Sequence, residues 1–416
     1  MKRLKPMAEK ILAEEQAGFR PGRSTIEQIF NCRLLIEKHL QHQRELHHNF
    51  IDFKKAFDRV WHEGLWQVMR SYNIEEGLIR VIEALYNDAS SAVKLNSCIG
   101  DFFKMSIGVR QGCILSPTLF NIFLEKIMQE TLDDHQTSIS IGGRPLCNLR
   151  FADDIDLLAW SNEELQELSD KLVERAGSYG MEISTEKSKV MINTTDARSG
   201  KITLNQKQLE EVNNFKYLGA ILSADGSCEV EIRARIGTAT AAMARLNRIW
   251  SSKSVSLATK LRLYRALVKT IVLYGCETWT LLVATEKKLQ AFENKCMRRL
   301  LRISYLDHKT NEYVWEKIES ITGPQETIMA TIKRRKLTWF GHVVRHNNLP
   351  KTILQGTVQG GRRRGRQRKC WFDNIKEWTN LQMSELLTVA QNRQEWRNLT
   401  AEVSIHSPQR PQRSRD

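Results

Sequence analysis

The stretch "CNLRFADDIDLLAW" (147–160) decides the fold, because two adjacent carboxylates, Asp153 and Asp154, interrupt a segment that is otherwise typical of β-structure. Apolar residues flank the pair, which predicts two strands joined by a tight turn. An aspartate pair is common in a solvated turn, because Asp tolerates left-handed backbone and bonds its own main chain. An idle turn usually has more polar flanks, so the pair is also a candidate for metal binding or catalysis.

The chain before this hairpin alternates between helical and strand patterns. Ser24 and Glu27 fit a capping box at the start of one helix, and Pro117 fits the first turn of another. The predicted elements are a helix at 24–41, a strand at 49–53, a helix at 54–72, a hairpin at 93–107 with its turn near 99–101, and a helix from Pro117. Strands alternating with helices in this order predict an α+β sheet with helices on one face.

Behind the hairpin, the same alternation continues and then ends. Ser161 caps a predicted helix that stops at Gly177, and strands are predicted at 189–193 and within 215–222. From about 228 to 306 the pattern is almost purely helical and rich in Ala, Leu and Arg. This shift in composition predicts a domain boundary.

Charge is distributed unevenly along the chain, whose formal net charge is +15. Between Thr331 and Cys370 there are twelve Lys or Arg residues and no Asp or Glu. Such a basic stretch predicts an acidic partner, most often nucleic acid. The alternative is a solvated basic surface or a nuclear import signal.

The cysteines and the apolar runs bear on location. Eight cysteines are scattered without a C-x-x-C pair, which predicts free thiols in a reducing compartment. No apolar run approaches the ~18–20 residues that span a bilayer, and the first residues lack the apolar core of a secretory signal. We therefore predict no membrane partner and a nuclear or cytoplasmic location.

A third carboxylate, Asp52, ends the apolar-flanked segment "NFIDF". A carboxylate at a strand end can face a cleft while the strand is fixed by its core face. Asp is a short, hard ligand for Mg²⁺, and two such ions ~3.5–4 Å apart can activate a 3′-hydroxyl and stabilise a leaving pyrophosphate. Whether Asp52 meets Asp153 in space is beyond the sequence, because a long segment separates them.

The segment "GVRQGCILSP" (108–117) has two interpretations. Gly108 and Gly112 flank an Arg–Gln pair, and Ser116–Pro117 starts a helix. Glycines let a backbone approach a flat partner closely, and a helix N-terminus favours phosphate. A plain turn-to-helix junction explains the same residues equally well, so both interpretations stay open here.

Six segments, taken together, resemble the reverse transcriptases of non-LTR (LINE-type) retrotransposons. They occur in that family's order and at plausible spacing, and the resemblance covers most of the chain. The segments are "EQAGFRPGRSTIEQI" (15–29), "FIDFKKAFDRVWHEGL" (50–65), "GVRQGCILSPTLFNIFLE" (108–125), "FADDIDLLAWS" (151–161), "GMEISTEKSKVM" (180–191) and "FKYLGAIL" (215–222).

The resemblance implies roles for the acidic residues and one lysine. Asp52, Asp153 and Asp154 match the catalytic carboxylates, with Asp52 and Asp153 as direct ligands of two Mg²⁺ ions, for which Mn²⁺ is a substitute. Lys187 resembles the lysine near the leaving pyrophosphate, which implies a general acid. Two or three carboxylates, metal and one cation are enough for a reaction that consists mostly of positioning and charge neutralisation.

The resemblance also implies residues that contact the nucleotide and the nucleic acid. Phe57 matches the aromatic residue that screens the sugar 2′-position of the incoming nucleotide. Gln111 and Gly112 match the loop under the template and the incoming base. The turn that grips the primer end is matched by Phe215, Lys216, Tyr217, Leu218 and Gly219.

The chain departs from the family pattern in two respects. Family members carry an upstream fingers segment, with basic residues that touch the triphosphate, and an upstream endonuclease domain, whereas this sequence begins after both. We therefore expect a 5′-truncated copy or a partial gene model. Ile114 stands where Pro is frequent, and we expect it to be tolerated.

Basic residues supply the remaining candidates for nucleic-acid binding. In the C-terminal part, arginines are mixed with Trp371 and Trp378, a combination that suits phosphate contact and base stacking. The alternative is that the tryptophans are core residues of a small helical domain. The candidates are Arg20, Arg23, Lys333, Arg334, Arg362, Arg363 and Arg364.

The predicted architecture is an α+β right-hand polymerase. It consists of partial fingers (1–48), a palm (49–222), a helical thumb (223–306) and a basic C-terminal extension (307–416). The predicted function is RNA-directed DNA synthesis, which extends a DNA primer on an RNA template with deoxynucleoside triphosphates. The alternatives are a catalytically inactive nucleic-acid-binding remnant and an intron maturase, although the "WFGH" tail does not resemble an intron-binding module.

Overall fold

A computed structural model describes residues 1–87, 89–194, 200–361, 365 and 367–405. Backbone contacts divide the chain into two compact units. The first unit comprises Met1–Leu218 with Gln355–Arg362, and the second comprises Gly219–Leu354 with Arg363–Asp416. The assignment of the four predicted segments to fingers, palm, thumb and extension stays a prediction.

The first unit combines helices with short strands. Its helices are Leu4–Ile11 (α1), Thr25–Gln41 (α2), His62–Ser71 (α3), Glu76–Asn87 (α4), Ser116–Leu132 (α5) and Asn162–Ser178 (α6). Its strands are Leu46–Ile51 (β1), Ser90–Ser91 (β2), Lys94–Leu95 (β3), Cys98–Ile99 (β4), Phe103–Lys104 (β5), Ser140–Ile141 (β6), Arg144–Pro145 (β7), Asn148–Phe151 (β8), Asp154–Ala159 (β9), Lys189–Asn193 (β10), Thr203–Leu204 (β11), Lys207–Gln208 (β12), Glu210–Glu211 (β13) and Asn214–Tyr217 (β14). The mixed α+β class is therefore confirmed.

The main sheet of this unit has the strand order β13-β10-β1-β9-β8. Strand β1 is central and pairs antiparallel with both β10 and β9, while β9 pairs antiparallel with β8. Only the short edge strand β13 runs parallel to its neighbour among the described strands of this sheet. The end of β1 and the β8–β9 turn therefore lie at the same end of the sheet.

Helices α5 and α6 form the hydrophobic core together with one face of the sheet. Along β9, Ile155 and Leu157 contribute to this core, whereas Asp154 and Asp156 alternate with them and lie on the other face. Phe123 of α5 is fully buried in the core. Full burial of a side chain of this size contributes about 1.5–3 kcal/mol, so the core fixes the strands that carry the aspartates.

The second unit is almost entirely helical. It begins with the strand Ala220–Ser223 (β15). Its helices are Glu229–Arg245 (α7), Asn247–Ser251 (α8), Leu257–Tyr264 (α9), Thr270–Val272 (α10), Val283–Leu301 (α11), Asn311–Thr322 (α12), Ile328–Arg345 (α13), Leu349–Gln355 (α14), Trp371–Thr379 (α15), Met383–Gln391 (α16) and Arg393–Ile405 (α17). Within the described residues, no helix is long and apolar enough to cross a membrane.

Several predicted elements are confirmed at their starts. Ser24 caps α2 by accepting a hydrogen bond from the backbone N–H of Glu27, and Ser161 caps α6 in the same way through Glu164. Pro117 lies in the first turn of α5, where its missing N–H costs nothing. All eight cysteines are free thiols, as their spacing predicts.

The prediction of one continuous helix at 54–72 is wrong, because the structure has two separate helices there. Lys55 has a left-handed φ of 51°, and a short 3₁₀ helix at Ala56–Arg59 precedes α3. Val60 is extended, and its carbonyl accepts a hydrogen bond from the N–H of Gly108. The backbone between the two helices is therefore bonded to a distant loop and cannot continue as a helix.

Two further boundaries differ from the prediction. The strand predicted at 49–53 is β1, which begins at Leu46 and ends at Ile51, because the polar His47 and His48 are buried within it. The turn of the hairpin predicted near 99–101 lies instead at Asn96–Ser97, where both residues have positive φ. A two-residue hairpin turn favours this conformation, which Asn adopts readily.

Candidate active site

The acidic turn (Phe151–Asp154) joins β8 to β9. Phe151 and Asp154 are register partners, so Ala152 and Asp153 form a two-residue turn. Ala152 has a φ of 57°. A left-handed conformation costs a residue other than glycine roughly 1–2 kcal/mol, so neighbouring groups must hold Ala152 in place.

Asp52 follows the last residue of β1, beside this turn. Ile51 and Ile155 are register partners, which places Asp52 and Asp154 at the same end of adjacent strands. The backbone N–H of Asp52 donates to Ser188 Oγ at 3.1 Å, and its carbonyl accepts from the N–H of Ser184 at 2.8 Å. The segment 184–188 therefore fixes the backbone of Asp52.

Lys187 belongs to the same segment and brings a cation to the site. Its Nζ lies 3.5 Å from Asp52 Oδ1, and its side chain is 71% exposed. An exposed pair at this distance contributes about 0–1 kcal/mol to stability, because solvent screens it. The lysine is therefore close to the carboxylates and still free to move.

The electrostatics show that the three carboxylates interact. Burial and the nearby carboxylate of Asp52 raise the pKa of Asp153. Burial, followed by repulsion from Asp153 and Asp52, raises the pKa of Asp154 to about 6. Together with the strand register, which places Asp52 opposite Asp154, this brings Asp52 next to the acidic turn although a long segment separates them in the sequence.

The donor atoms of this cluster suit a divalent cation. Asp52 Oδ1 is buried and accepts no hydrogen bond from the described part of the chain; its 3.5 Å separation from Lys187 Nζ is that of an ion pair. Converging carboxylates repel each other, and bound divalent cations would remove this repulsion. Hard oxygen donors are also the preferred ligands of Mg²⁺. The residues present therefore fit such an ion.

Phe57, Gln111 and Gly112 lie in two segments that pack on each other. Phe57 stacks on Phe120 of α5 with ring centroids 4.4 Å apart. Gln111 Nε2 donates to Asp58 Oδ1 at 3.1 Å, and Gly112 follows it in the same exposed loop. Gly108 starts this loop where a Cβ would lie 2.9 Å from the carbonyl oxygen of Asp58, so the close approach requires glycine.

The predicted primer-grip segment contacts β1 through its aromatic rings. Phe215 stacks on Phe50 of β1 with centroids 4.0 Å apart, and Tyr217 lies 5.8 Å from the same ring. Lys216, between them, is exposed. Leu218 and Gly219 fall at the division between the two units. The rings anchor this segment two residues from Asp52, while its role in primer binding stays a prediction.

Arg20 and Arg23 are largely occupied within the protein. The Arg20 side chain is 7% exposed, pairs with Glu9 and donates to backbone carbonyls that include that of Gln16. The Arg23 side chain is 14% exposed and pairs with Glu27. Both guanidinium groups brace the N-terminal segment, and nucleic-acid contact by either one stays a prediction.

The basic residues of α13 differ in exposure. Burial lowers the pKa of Lys333, whereas Arg334 is exposed and pairs with Glu326. Arg362, Arg363 and Arg364 lie outside the described residues. Trp371 is buried and packs near Phe340, and Trp378 is 8% exposed. The packing therefore places both tryptophans in the core of the second unit.

Sequence reasoning missed the polar groups that support the acidic turn. The fully buried Gln16 bonds directly to the turn, and Arg150 of β8 forms a buried ion pair with Glu125 of α5 at 3.1 Å. A polar residue at a buried strand position is the signal that could have revealed Arg150. Gln16 lies within the first family-like segment, but nothing in its local pattern indicates its partner.

A second polar cluster lies behind the acidic turn and could also hold a metal ion. Its ligand atoms, from Cys32, His48 and Asp156, lie within 4.8 Å of one another, and all three residues are buried. His48 Nδ1 lies 2.9 Å from Asp156 Oδ2, and Cys32 Sγ lies 3.5 Å from the same oxygen. These are hydrogen-bond distances, so the contacts are already satisfied without an ion.

Comparison with known families identifies the class of protein. Residues 1–222 match the family model described as "Reverse transcriptase (RNA-dependent DNA polymerase)". This match covers more than half of the chain and includes every candidate residue from Asp52 to Gly219. The chain therefore belongs to the reverse transcriptase family.

Curated relatives confirm the resemblance to non-LTR retrotransposon enzymes. The chain is 26% identical over 353 residues to the probable RNA-directed DNA polymerase from transposon X-element of Drosophila melanogaster, covering 82% of this chain and 37% of that protein. It is 25% identical over 294 residues to the RNA-directed DNA polymerase from mobile element jockey of Drosophila funebris, covering 68% and 31%. The chain thus spans about a third of these relatives.

Among solved structures, the chain is similar to apo telomerase from Candida tropicalis. The TM-score is 0.41 at 14% identity, over 86% of this chain and 61% of that protein. This similarity is too weak to add to the family assignment.

Proposed function

We propose that this chain catalyses RNA-directed DNA synthesis by extending a DNA primer on an RNA template with deoxynucleoside triphosphates. The observation that carries the proposal is the convergence of Asp52, Asp153 and Asp154 beside Lys187, in a chain of the reverse transcriptase family. The relatives named as RNA-directed DNA polymerases support the same reaction. The reaction is an attack of the primer 3′-hydroxyl on the α-phosphate, with pyrophosphate as the leaving group.

Reverse transcriptases generally use divalent metal ions, and we propose two Mg²⁺ ions here, with Mn²⁺ as a substitute. Asp52 and Asp153 would be the direct ligands, and Asp154 would complete the acidic group. When bound, such ions activate the attacking hydroxyl and neutralise charge on the triphosphate. The carboxylates contribute a fixed cluster of negative charge, whose mutual repulsion favours cation binding.

The other residues act on the substrates. Phe57, held by its stack on Phe120, screens the sugar 2′-position, and Gln111 with Gly112 supports the template and the incoming base. The exposed Nζ of Lys187 is close enough to the carboxylates to donate a proton to the leaving pyrophosphate. Residues 215–219 hold the primer end, and these basic candidates contact nucleic acid: Arg20, Arg23, Arg334, Arg362, Arg363 and Arg364. Lys333 is buried, so it is left out of this set.

The test is primer extension by the purified chain on an RNA template with a DNA primer and Mg²⁺. We expect extension by the wild type, loss of extension in Asp153→Asn, and retention in Asp134→Asn, whose exposed aspartate lies in the loop after α5. Template–primer binding should persist in all three proteins. Binding without extension by the wild type would overturn the proposal and favour a non-catalytic, nucleic-acid-binding remnant.

A further inference from the structure

A single buried side chain, Gln16, bonds to both main-chain groups of Ala152 in the acidic turn. Gln16 Oε1 accepts from the N–H of Ala152 at 2.9 Å, and Gln16 Nε2 donates to the carbonyl of Ala152 at 3.3 Å. Gln16 is fully buried and Ala152 is 3% exposed. Water therefore has little access to the N–H and the carbonyl of Ala152, and the Gln16 amide is the hydrogen-bond partner of both groups.

The backbone that carries Gln16 is itself fixed against β8. Gln16 forms a parallel bridge with Arg150, the N–H of Ala17 donates to the carbonyl of Arg150, and the N–H of Arg150 donates to the carbonyl of Glu15. Residues 15–17 thus run along the free edge of β8 up to the turn. The main-chain pairing of residues 15–17 with β8 therefore positions the side chain of Gln16 beside Ala152 and restricts its movement.

Gly18 closes this arrangement by direct backbone contact. A Cβ at Gly18 would lie 2.2 Å from the backbone nitrogen of Ala152, so only glycine permits the approach. The N–H of Gly18 donates to Gln16 Oε1 at 2.8 Å, and its carbonyl accepts from Asn121 Nδ2 at 2.7 Å. Gln16 Oε1 therefore accepts two hydrogen bonds, one from the N–H of Ala152 and one from the N–H of Gly18.

We propose that Gln16 is a positioning residue, which holds Ala152 in its left-handed conformation and thereby places Asp153 and Asp154 for divalent-metal binding. The inference rests on the proposed function for its effect on catalysis. Gln16 does not touch substrate; it acts through the turn. Removal of its amide leaves two buried main-chain groups of Ala152 unpaired, so the turn relaxes to another conformation and moves the carboxylates.

The central variant is Gln16→Met, which keeps the length of the side chain and removes its hydrogen bonds. The matched control is Gln28→Met, because Gln28 is also a buried glutamine whose Nε2 donates to the carbonyl of Arg150, one residue before the turn begins. Both variants remove buried hydrogen bonds beside β8, but only Gln16→Met frees Ala152. A general loss of stability would affect both alike.

Two measurements separate positioning from stability. In Mn²⁺ titrations of the full chain followed by electron paramagnetic resonance, we expect the Kd of Gln16→Met to rise about tenfold, as when a residue supporting a metal ligand is removed, and that of Gln28→Met to stay unchanged. In primer extension, we expect kcat of Gln16→Met to fall roughly 100-fold, because a displacement of about 1 Å has that effect, while the KM for template–primer is unchanged.

A rescue experiment tests the route through Ala152. Glycine adopts left-handed backbone freely, so Ala152→Gly in the Gln16→Met background should recover part of the lost kcat and Mn²⁺ affinity. An effect of Gln16 that bypasses the turn would leave the double variant as impaired as Gln16→Met. That result would overturn the inference.

The remaining outcomes are also decisive. Wild-type Mn²⁺ affinity in Gln16→Met, or an equal loss in Gln28→Met, would overturn the inference. If Gln16→Met does not fold, Gln16→Asn keeps a polar side chain that falls short of the turn by one methylene, and the same loss of Mn²⁺ affinity is expected. An inactive wild-type chain would count against the proposed function alone, and the Mn²⁺ affinities would still decide the role of Gln16.

Discussion

The acidic turn of the first unit and the basic helix α13 of the second are both dense in charge, but the fold treats them in opposite ways. At the turn, burial and the neighbouring carboxylates raise the pKa values of Asp153 and Asp154, and the exposed Lys187 is a nearby cation. The fold thus maintains a concentration of like charge that costs stability. Such an arrangement is typical of a site that binds a counter-ion.

Along α13, the charges are compensated within the protein. Lys336 is fully buried, and its Nζ donates to the carbonyl of Trp279 at 2.7 Å and to Asn374 Oδ1 at 2.9 Å. The same ammonium lies 4.7 Å from the ring centre of Trp371. A cluster of charge in a sequence therefore indicates a binding surface only where the fold leaves that charge exposed.

The largest expected effect concerns the acidic turn and is a substitution of Asp52. Because Asp52 directly follows the central strand and lies beside the acidic turn, we expect Asp52→Asn to reduce primer extension by roughly 10³-fold. The free energy of unfolding should change by no more than about 0.5 kcal/mol, as is usual for a surface substitution. Single-turnover extension at saturating Mg²⁺ is the measurement. Asp101→Asn, at an exposed aspartate of the first unit, serves as the control. An active Asp52→Asn protein would show that the convergence of carboxylates has no catalytic role.

The opposite result is expected for Lys336. Lys336→Met removes two hydrogen bonds of a buried ammonium and leaves the carbonyl of Trp279 without its donor, although Asn374 Oδ1 keeps the N–H of Leu281. The free energy of unfolding of the second unit should therefore fall by about 4 kcal/mol. Urea unfolding is the measurement, with Lys253→Met at an exposed lysine as the control. Weaker nucleic-acid binding at unchanged stability would contradict a structural role.

The two regions also differ in how far the sequence predicts them. The β8–β9 hairpin follows from the alternation of apolar residues around Asp153 and Asp154, and the capped starts of α2 and α6 follow from short local patterns. The meeting of Asp52 with Asp153 depends on strand order, which local patterns do not contain. The support from Gln16 is equally remote, because its partner Ala152 lies 136 positions further along the chain.

The burial of individual side chains, like the contacts between distant residues, could not be predicted from the sequence. Lys336 and Lys333 share one basic run with Arg334, yet the lysines are buried and the arginine is exposed. The sequence pattern of lysines near tryptophans is the same whether the segment is a nucleic-acid-binding arm or part of a helical core. Only the packing of α13 against its neighbours distinguishes these interpretations, which is why both stay open at the level of sequence.

The N-terminus of α13 provides a pH-dependent contrast to the acidic turn. Burial raises the pKa of Glu293 to about 7, although its carboxylate accepts the backbone N–H of Ile328, the first residue of the helix. The folded state therefore binds this proton more tightly than the unfolded state, whose pKa is near 4.5. Stability contributed by the protonated group is complete below pH 4.5 and is lost as pH rises to about 7.

The matched variant isolates this effect. Glu293→Gln should lack this dependence of stability on pH. The free energy of unfolding of the variant minus that of the wild type should therefore increase by about 3 kcal/mol between pH 4.5 and pH 8. Urea unfolding of both proteins at several pH values measures the difference. Parallel stability curves would show that folding does not raise the pKa of Glu293.

The smallest expected effect distinguishes two neighbours on α13. Arg334 is exposed, and its ion pair with Glu326 is of a kind worth at most about 1 kcal/mol, so a phosphate can displace the carboxylate. Arg334→Ala should leave stability nearly unchanged and weaken template–primer binding, with the slope of log Kd against log salt reduced by about 1. Lys333→Gln, at the buried neighbour, should leave that slope unchanged. Fluorescence anisotropy across a salt series measures both slopes. Equal slopes in all three proteins would show that the basic run on α13 has no part in nucleic-acid binding, because even its exposed member then makes no phosphate contact.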